Sequence, residues 1–148
     1  MRVLVCGGRR YDNDSELPGA AVAKALDGLA IIREWVTLKI RFSVLMHGAC
    51  GVDRSKPDWS RLTGADRWAH EWALRNRVPV VAYPADWTTH KRAAGPMRNE
   101  EMIIDGRPDL VIAFPGGDGT AGMVELARKY GVSVEFPRGM AWLHRRST

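Results

Sequence analysis

The sequence predicts an α/β fold: a single Rossmann-like domain with a mainly parallel sheet of about five strands flanked by helices. Three observations predict it. Five short apolar runs alternate with amphipathic stretches along the chain. The runs are nearly continuous in apolar residues, as strands buried on both faces of a parallel sheet are. Each run stops at glycine or proline, which end strands and open turns.

In chain order, the first strand is predicted at Arg2 to Cys6, ending at Gly7-Gly8. Leu17 to Trp35 follows as a helix, with Val22, Ala25, Leu26, Leu29 and Ile32 on one stripe. Ser43 to His47 is the second strand, and Ala65 to Arg75 a helix with Ala65, Trp68, Ala69, Trp72 and Ala73 on its apolar face. Asp66, Arg67, His70 and Glu71 fall on the other faces of that helix. Pro79 to Tyr83 is the third strand, Ala94 to Asp105 a helix, and Asp109 to Phe114 the fourth strand. Thr120 to Tyr130 is a helix aligning Met123, Leu126, Ala127 and Tyr130, with Gly131 as its stop, and Val132 to Phe136 is the fifth strand.

A chain of 148 residues suits one domain with a core of its own. Residues 1–137 are expected to form the Rossmann-like domain and 138–148 a basic tail containing Arg145 and Arg146. With 45% hydrophobic and 26% charged residues the composition is that of a globular protein, not a disordered one. No run approaches the roughly 18 apolar residues of a membrane span. The start, MRVLVCGGRR, lacks the long apolar stretch of a secretory signal. No membrane association and a cytoplasmic location are therefore expected. Cys6 and Cys50 are too few for a disulfide framework, and no paired His/Cys spacing suggests a metal. Neither metal nor cofactor is expected. The net charge of +5 suits an anionic partner but is also common on plain surfaces. A homo-oligomer is expected.

Position concentrates the chemistry. Loops after the first four strands leave a parallel sheet at one edge, the carboxyl ends, where ligands of such sheets bind. Pro115-Gly116-Gly117-Asp118-Gly119-Thr120 is the strongest signal. Its glycines let backbone N–H groups approach a ligand, and the following helix adds a positive dipole end suited to phosphate. Thr120 either caps that helix or donates to a phosphate oxygen. The alternative reading is a tight turn that needs glycine for its backbone angles. Gly7-Gly8 is a weaker copy of the device, followed by Arg9, whose planar fork fits phosphate or carboxylate. Neither the G-x-G-x-x-G dinucleotide fingerprint nor the P-loop is present.

Gly48 closes the second strand, and His47 before it is either an acid–base group or a hydrogen-bonded core histidine. Arg98 and Asn99 sit near a helix start and offer fixed donors to a phosphate or base edge. Tyr11 and Trp87 either stack on a base or pack. Asp66 either binds a ribose hydroxyl or favours its helix N-terminus. Weak catalytic candidates are Asp118, Arg98, Asp66 and Glu125. The cysteines lack an evident base and are not expected to act as nucleophiles.

Taken together, GGRRY, HGAC, GAD, YPADW, AGPMRNEEM and IAFPGGDGT resemble, from about Met1 to Val134, the YspA-type, YpsA-related branch of the SLOG superfamily. The resemblance implies a Rossmann-like fold that binds nucleotides or nucleotide-derived ligands. It also implies a short turn from HG to GAD, whereas here Gly51 to Thr63 is inserted. That insertion is expected to form a lid or partner surface over the cleft. Related phosphoribohydrolases (the LOG enzymes) carry acidic residues two and three places after the threonine of PGGxGT; here these are Gly122 and Met123. N-glycosidic hydrolysis, which needs a carboxylate beside a cationic transition state, is therefore not carried over unless Asp118, Asp66 or Glu125 stands in. Binding or sensing of a small nucleotide-derived ligand is the leading expectation. A nucleotide-processing hydrolase acting on an N-glycosidic or phosphate bond is the first alternative. Single-stranded nucleic-acid binding is the second.

Overall fold

The computed structural model describes residues 1–36 and 42–137. The expected basic tail, 138–148, lies outside the described residues. Five strands form one all-parallel sheet: β1 (Arg2–Cys6), β2 (Val44–His47), β3 (Val80–Ala82), β4 (Leu110–Ala113) and β5 (Ser133–Glu135), in the order β3-β2-β1-β4-β5. The helices are α1 (Ala20–Val36), α2 (Gly64–Arg75), the short α3 (Trp87–His90), α4 (Ala94–Ile104) and α5 (Asp118–Lys129). The chain is thus an α/β domain of Rossmann-like form.

The period of two along β1 divides the core. Val3 and Val5 pack with Val22, Leu26, Ala65, Ala69 and Trp72 from α1 and α2. Leu4 and Cys6 pack on the opposite face with Met102, Ile103, Met123, Val124 and Ala127 from α4 and α5. β1, β2 and β4 are buried apart from the half-exposed Arg2, whereas the edge strands β3 and β5 are partly exposed. The strand order runs outward in both directions from β1, so the switch point lies between β1 and β4.

Two helix starts differ from expectation. α1 begins at Ala20, not Leu17: Gly19 holds a left-handed φ of 83° and Leu17 is exposed. The Asp12 carboxylate accepts from Ala21 N–H at 2.8 Å and Val22 N–H at 3.3 Å, so a side chain from the preceding loop caps the helix. The side chains of Leu29 and Ile32 lie outside the described set. α5 begins at Asp118 with Gly117 as its N-cap, so Thr120 is the third helical residue and not a cap. Tyr130 is exposed, and Val124 takes its expected place in the core. Gly131, at φ 72°, ends α5 as expected.

The 51–63 segment is anchored at both ends. Thr63 N–H donates to the Cys50 carbonyl and its hydroxyl to the Arg9 carbonyl. Val52 and Leu62 pack with Ala49 in a small apolar cluster, and Asp53 pairs with Ala85 in a parallel bridge.

Candidate functional site

The carboxyl ends of β1, β2 and β4, with α3 and the first turns of α4 and α5, surround one cleft of about 640 Å³. Its floor is made by close backbone contact. Gly8 N–H donates to the Pro115 carbonyl at 2.6 Å, and a side-chain carbon on Gly8 would sit 2.8 Å from that oxygen. Only glycine lets the β1 and β4 loops touch here. Gly7 is equally confined, between Ala65 and Phe114.

Beyond this junction the β4 loop opens. Gly117 and Gly119 have nothing within 4 Å of where a side chain would begin, and both line the cleft. Among the described residues, no hydrogen bond takes up the N–H groups of Gly117, Asp118 or Gly119. The dipole of α5 adds partial positive charge at the same point. Asn99, buried on α4, donates to the Gly119 carbonyl at 3.2 Å and fixes the loop from outside. The Thr120 side chain is buried against Gly116.

The opposite wall is made of side chains. Arg98 donates from Nη1 to the Gly48 carbonyl and from Nε to Asn99 Oδ1 at 2.9 Å. Its guanidinium lies so close over Gly48 that a side-chain carbon there would be 2.7 Å from Nη1. Two of its five N–H donors are thus spent, leaving the remainder for a ligand. Burial lowers its pKa from the usual arginine value. Asp66 is only 6% exposed, and its carboxylate accepts from Cys50 N–H at 3.0 Å. Burial pushes this carboxyl up to about 6, with backbone N–H groups of Cys50 and Gly48 and the nearby Arg98 opposing the rise. Burial, and then Asp66, raise the pKa of the Cys50 thiol, and the nearby Arg9 and Arg98 guanidiniums counter only part of that rise. Cys6, at the cleft floor, is raised further still, chiefly by burial.

The structure therefore gathers Gly7, Gly8, Arg9, Gly48, Asp66, Trp87, Arg98, Asn99, Gly117, Gly119, Thr120 and the catalytic candidate Asp118 around one cleft. It does not bring the rest of the predicted set there. Tyr11 stacks on Phe114, with ring centroids 5.3 Å apart, and packs on the core. His47 is fully buried: its Nδ1 accepts from Ala49 N–H at 3.0 Å, and its Nε2 lies 2.8 Å from His70 Nδ1. Burial, and then His70 and Arg98, push His47 down to about 3, so it is a neutral clamp for the HGAC loop. Pro115 and Gly116 form the junction behind the cleft, and Glu125 is exposed away from its lining.

Sequence reasoning missed Arg92, Glu100 and Gly122, which also line the cleft. Arg92 had a signal, the Lys91-Arg92 pair just ahead of AGPMRN. Gly122 had one too: a glycine inside a helix, where alanine is ordinarily better. The lining balances three arginines, Arg9, Arg92 and Arg98, against three carboxylates, Asp66, Glu100 and Asp118. Affinity for an anion here must come from local donors, not from a strong overall field.

Among the described residues, no helix is long and apolar enough to cross a membrane, and no cluster of metal-ligating side chains occurs. No solved structure matches the chain. The chain is similar to the Gene 61 protein of Mycobacterium phage D29, with 40% identity over 75 residues, 47% of this chain and 58% of that protein. It thus covers less than two thirds of that relative's length. The family model described as YspA, cpYpsA-related SLOG matches residues 1–90, from β1 through α3, ahead of AGPMRN and PGGDGT. On that match, which covers more than half of its length, the chain belongs to the YspA, cpYpsA-related SLOG family.

Proposed function

We propose that the cleft binds a nucleotide or a nucleotide-derived ligand through its phosphate, as a binding or sensing module. One observation carries the reading: Gly117 to Gly119, whose N–H groups have no partner among the described residues, line the same cleft as Arg98. A phosphate resting there meets backbone donors, a helix dipole and a held guanidinium without rearrangement. Asp66 retains lone pairs for a ligand hydroxyl such as that of ribose. The balanced lining fits a small phosphate better than a long nucleic-acid strand, whose affinity needs net positive charge.

The test is isothermal titration with nucleoside mono- and diphosphates and ADP-ribose, beside the Gly119→Val variant. Saturable binding is expected, shallow in its salt dependence and weakened about 10-fold or more by a side chain in the open space at Gly119. No binding by any probe, or equal binding by the variant, overturns the reading. A steep loss of oligonucleotide binding with salt, without small-ligand binding, would favour a single-strand role instead.

A hydrolytic version has one observation in its favour. Asp66 lines the cleft with a carboxyl held near 6, the range a general acid or base needs at neutral pH. Release of free base or phosphate by the purified chain, lost in Asp66→Asn, is the expected sign of turnover.

A further inference from the structure

We infer that the ligand carries an aromatic base stacked on Trp87, and that the 51–63 segment is the strut holding this platform in place. The inference rests on the cleft being a nucleotide site.

Trp87 follows β3, at one edge of the sheet, whereas the open amides follow β4. Three strand spacings separate those strands, about 14 Å, so anion and platform take opposite ends of the cleft. Trp87 is 36% exposed and lines the cleft. Its edge rests on α4: a side-chain carbon on Gly95 would lie 3.1 Å from it. Glycine at 95 thus lets the indole lie against the helix backbone while the rest of the ring stays available. A part-exposed indole at the far end of the cleft from the open amides is suited to the flat face of a base whose phosphate rests at the other end.

The turn before Trp87 and the start of α3, which Asp86 caps through Thr89 N–H, are also held by the inserted segment. Thr88 Oγ1 donates to Asp53 Oδ2 at 2.6 Å. Arg54 N–H donates to the Ala85 carbonyl at 3.0 Å, and its Nε to the Pro84 carbonyl at 3.0 Å. The same guanidinium reaches Glu101 on α4 at 2.8 Å. Asp53 and Arg54 therefore tie the β3 loop to the helix on which the ring rests. Both residues act through Trp87 and are positioning residues. Apart from Gly51, the segment contributes nothing to the cleft lining among the described residues.

The experiment compares purine and pyrimidine nucleotides and ADP-ribose with a base-free probe, ribose 5-phosphate. In the unaltered chain the best nucleotide is expected to bind at least about 10-fold more tightly than ribose 5-phosphate. Trp87→Ala should reduce that preference about 5- to 100-fold, and Trp87→Phe should keep most of it. Thr88→Val and Arg54→Ala should lower the preference while leaving ribose 5-phosphate affinity unchanged, a split that general loss of folding does not produce. Equal binding of ribose 5-phosphate and the best nucleotide, or a preference untouched by Trp87→Ala, overturns the base platform while leaving the phosphate site standing. A preference unchanged in both Thr88→Val and Arg54→Ala overturns the strut. Binding of no probe at all overturns the cleft reading, and this inference with it.

Discussion

Gly8 and Gly116, on one side of the β1–β4 junction, and Gly117, Gly119 and Gly122 on the other look alike in sequence and do opposite work. At Gly8 and Gly116 an added carbon would meet protein, including the Pro115 carbonyl and the Thr120 side chain. At the other three it would meet nothing within 4 Å, and all three line the cleft. The first group brings two loops into contact; the second keeps a space clear. A missing side chain therefore has two meanings, and only what surrounds it tells them apart.

Substitution should separate the two groups most sharply at Gly8. Gly8→Val forces apart the Pro115 carbonyl and the β1 loop, and a loss of about 2–4 kcal/mol is expected in denaturant unfolding. A loss below about 1 kcal/mol would remove the junction's structural role.

The next effect is on pH dependence, and it concerns the two buried titratable groups beside the second strand. Asp66 rises from 3.8 to about 6 on folding, so the folded chain binds its proton more tightly than the unfolded chain. Its contribution is favourable below pH 3.8 and is lost as pH rises through 6, a change of about 3 kcal/mol. His47 falls from 6.5 to about 3, so its neutral form favours folding above pH 6.5 and that contribution is lost as pH falls toward 3. The two oppose one another between about pH 4 and 6. Asp66→Asn should therefore steepen the rise of stability with pH in that window, measured by urea midpoints across pH. An unchanged slope would mean that Asp66 titrates as an ordinary carboxylate.

Gly119→Val should weaken nucleotide binding by 10-fold or more, with a fold as stable as the original by thermal melting. Gly122→Ala gives the smallest effect and the opposite sign for stability. Alanine inside α5 should stabilise by about 0.5–1 kcal/mol, because no contact is disturbed there and helix propensity improves. Should it destabilise, the space beside Gly122 is not open.

The same distinction explains what was legible in the sequence. The strands were, to within a residue at each end: the central three, covered on both faces, write continuous apolar runs, and the part-exposed edge strands are short β-rich runs that stop before proline. The edge at which the loops meet followed from parallel order. Where each side chain points did not. Tyr11 lies in the loop after β1 and His47 at the end of β2, as predicted, but they turn inward to Phe114 and His70. Asp66 lies off the apolar stripe of α2 yet is buried, because its carboxylate is turned onto the loop after β2, where it accepts from Cys50 N–H. The start of α1 was missed because its cap, Asp12, comes from well before the helix in sequence. Such pairings are made by the folded backbone and leave no local pattern.

The two thiols that line the cleft give the chain a chemical reporter of its own occupancy. Both are free, Cys6 buried and Cys50 half-exposed beside Arg9. An alkylating reagent in the native state should mark Cys50 well before Cys6, since access and thiolate fraction both favour it. Any molecule seated over Asp66 and Arg98 must shield that sulfur. The pace of its labelling, followed by mass spectrometry, then reads how full the cleft is without a tag or an assumed ligand.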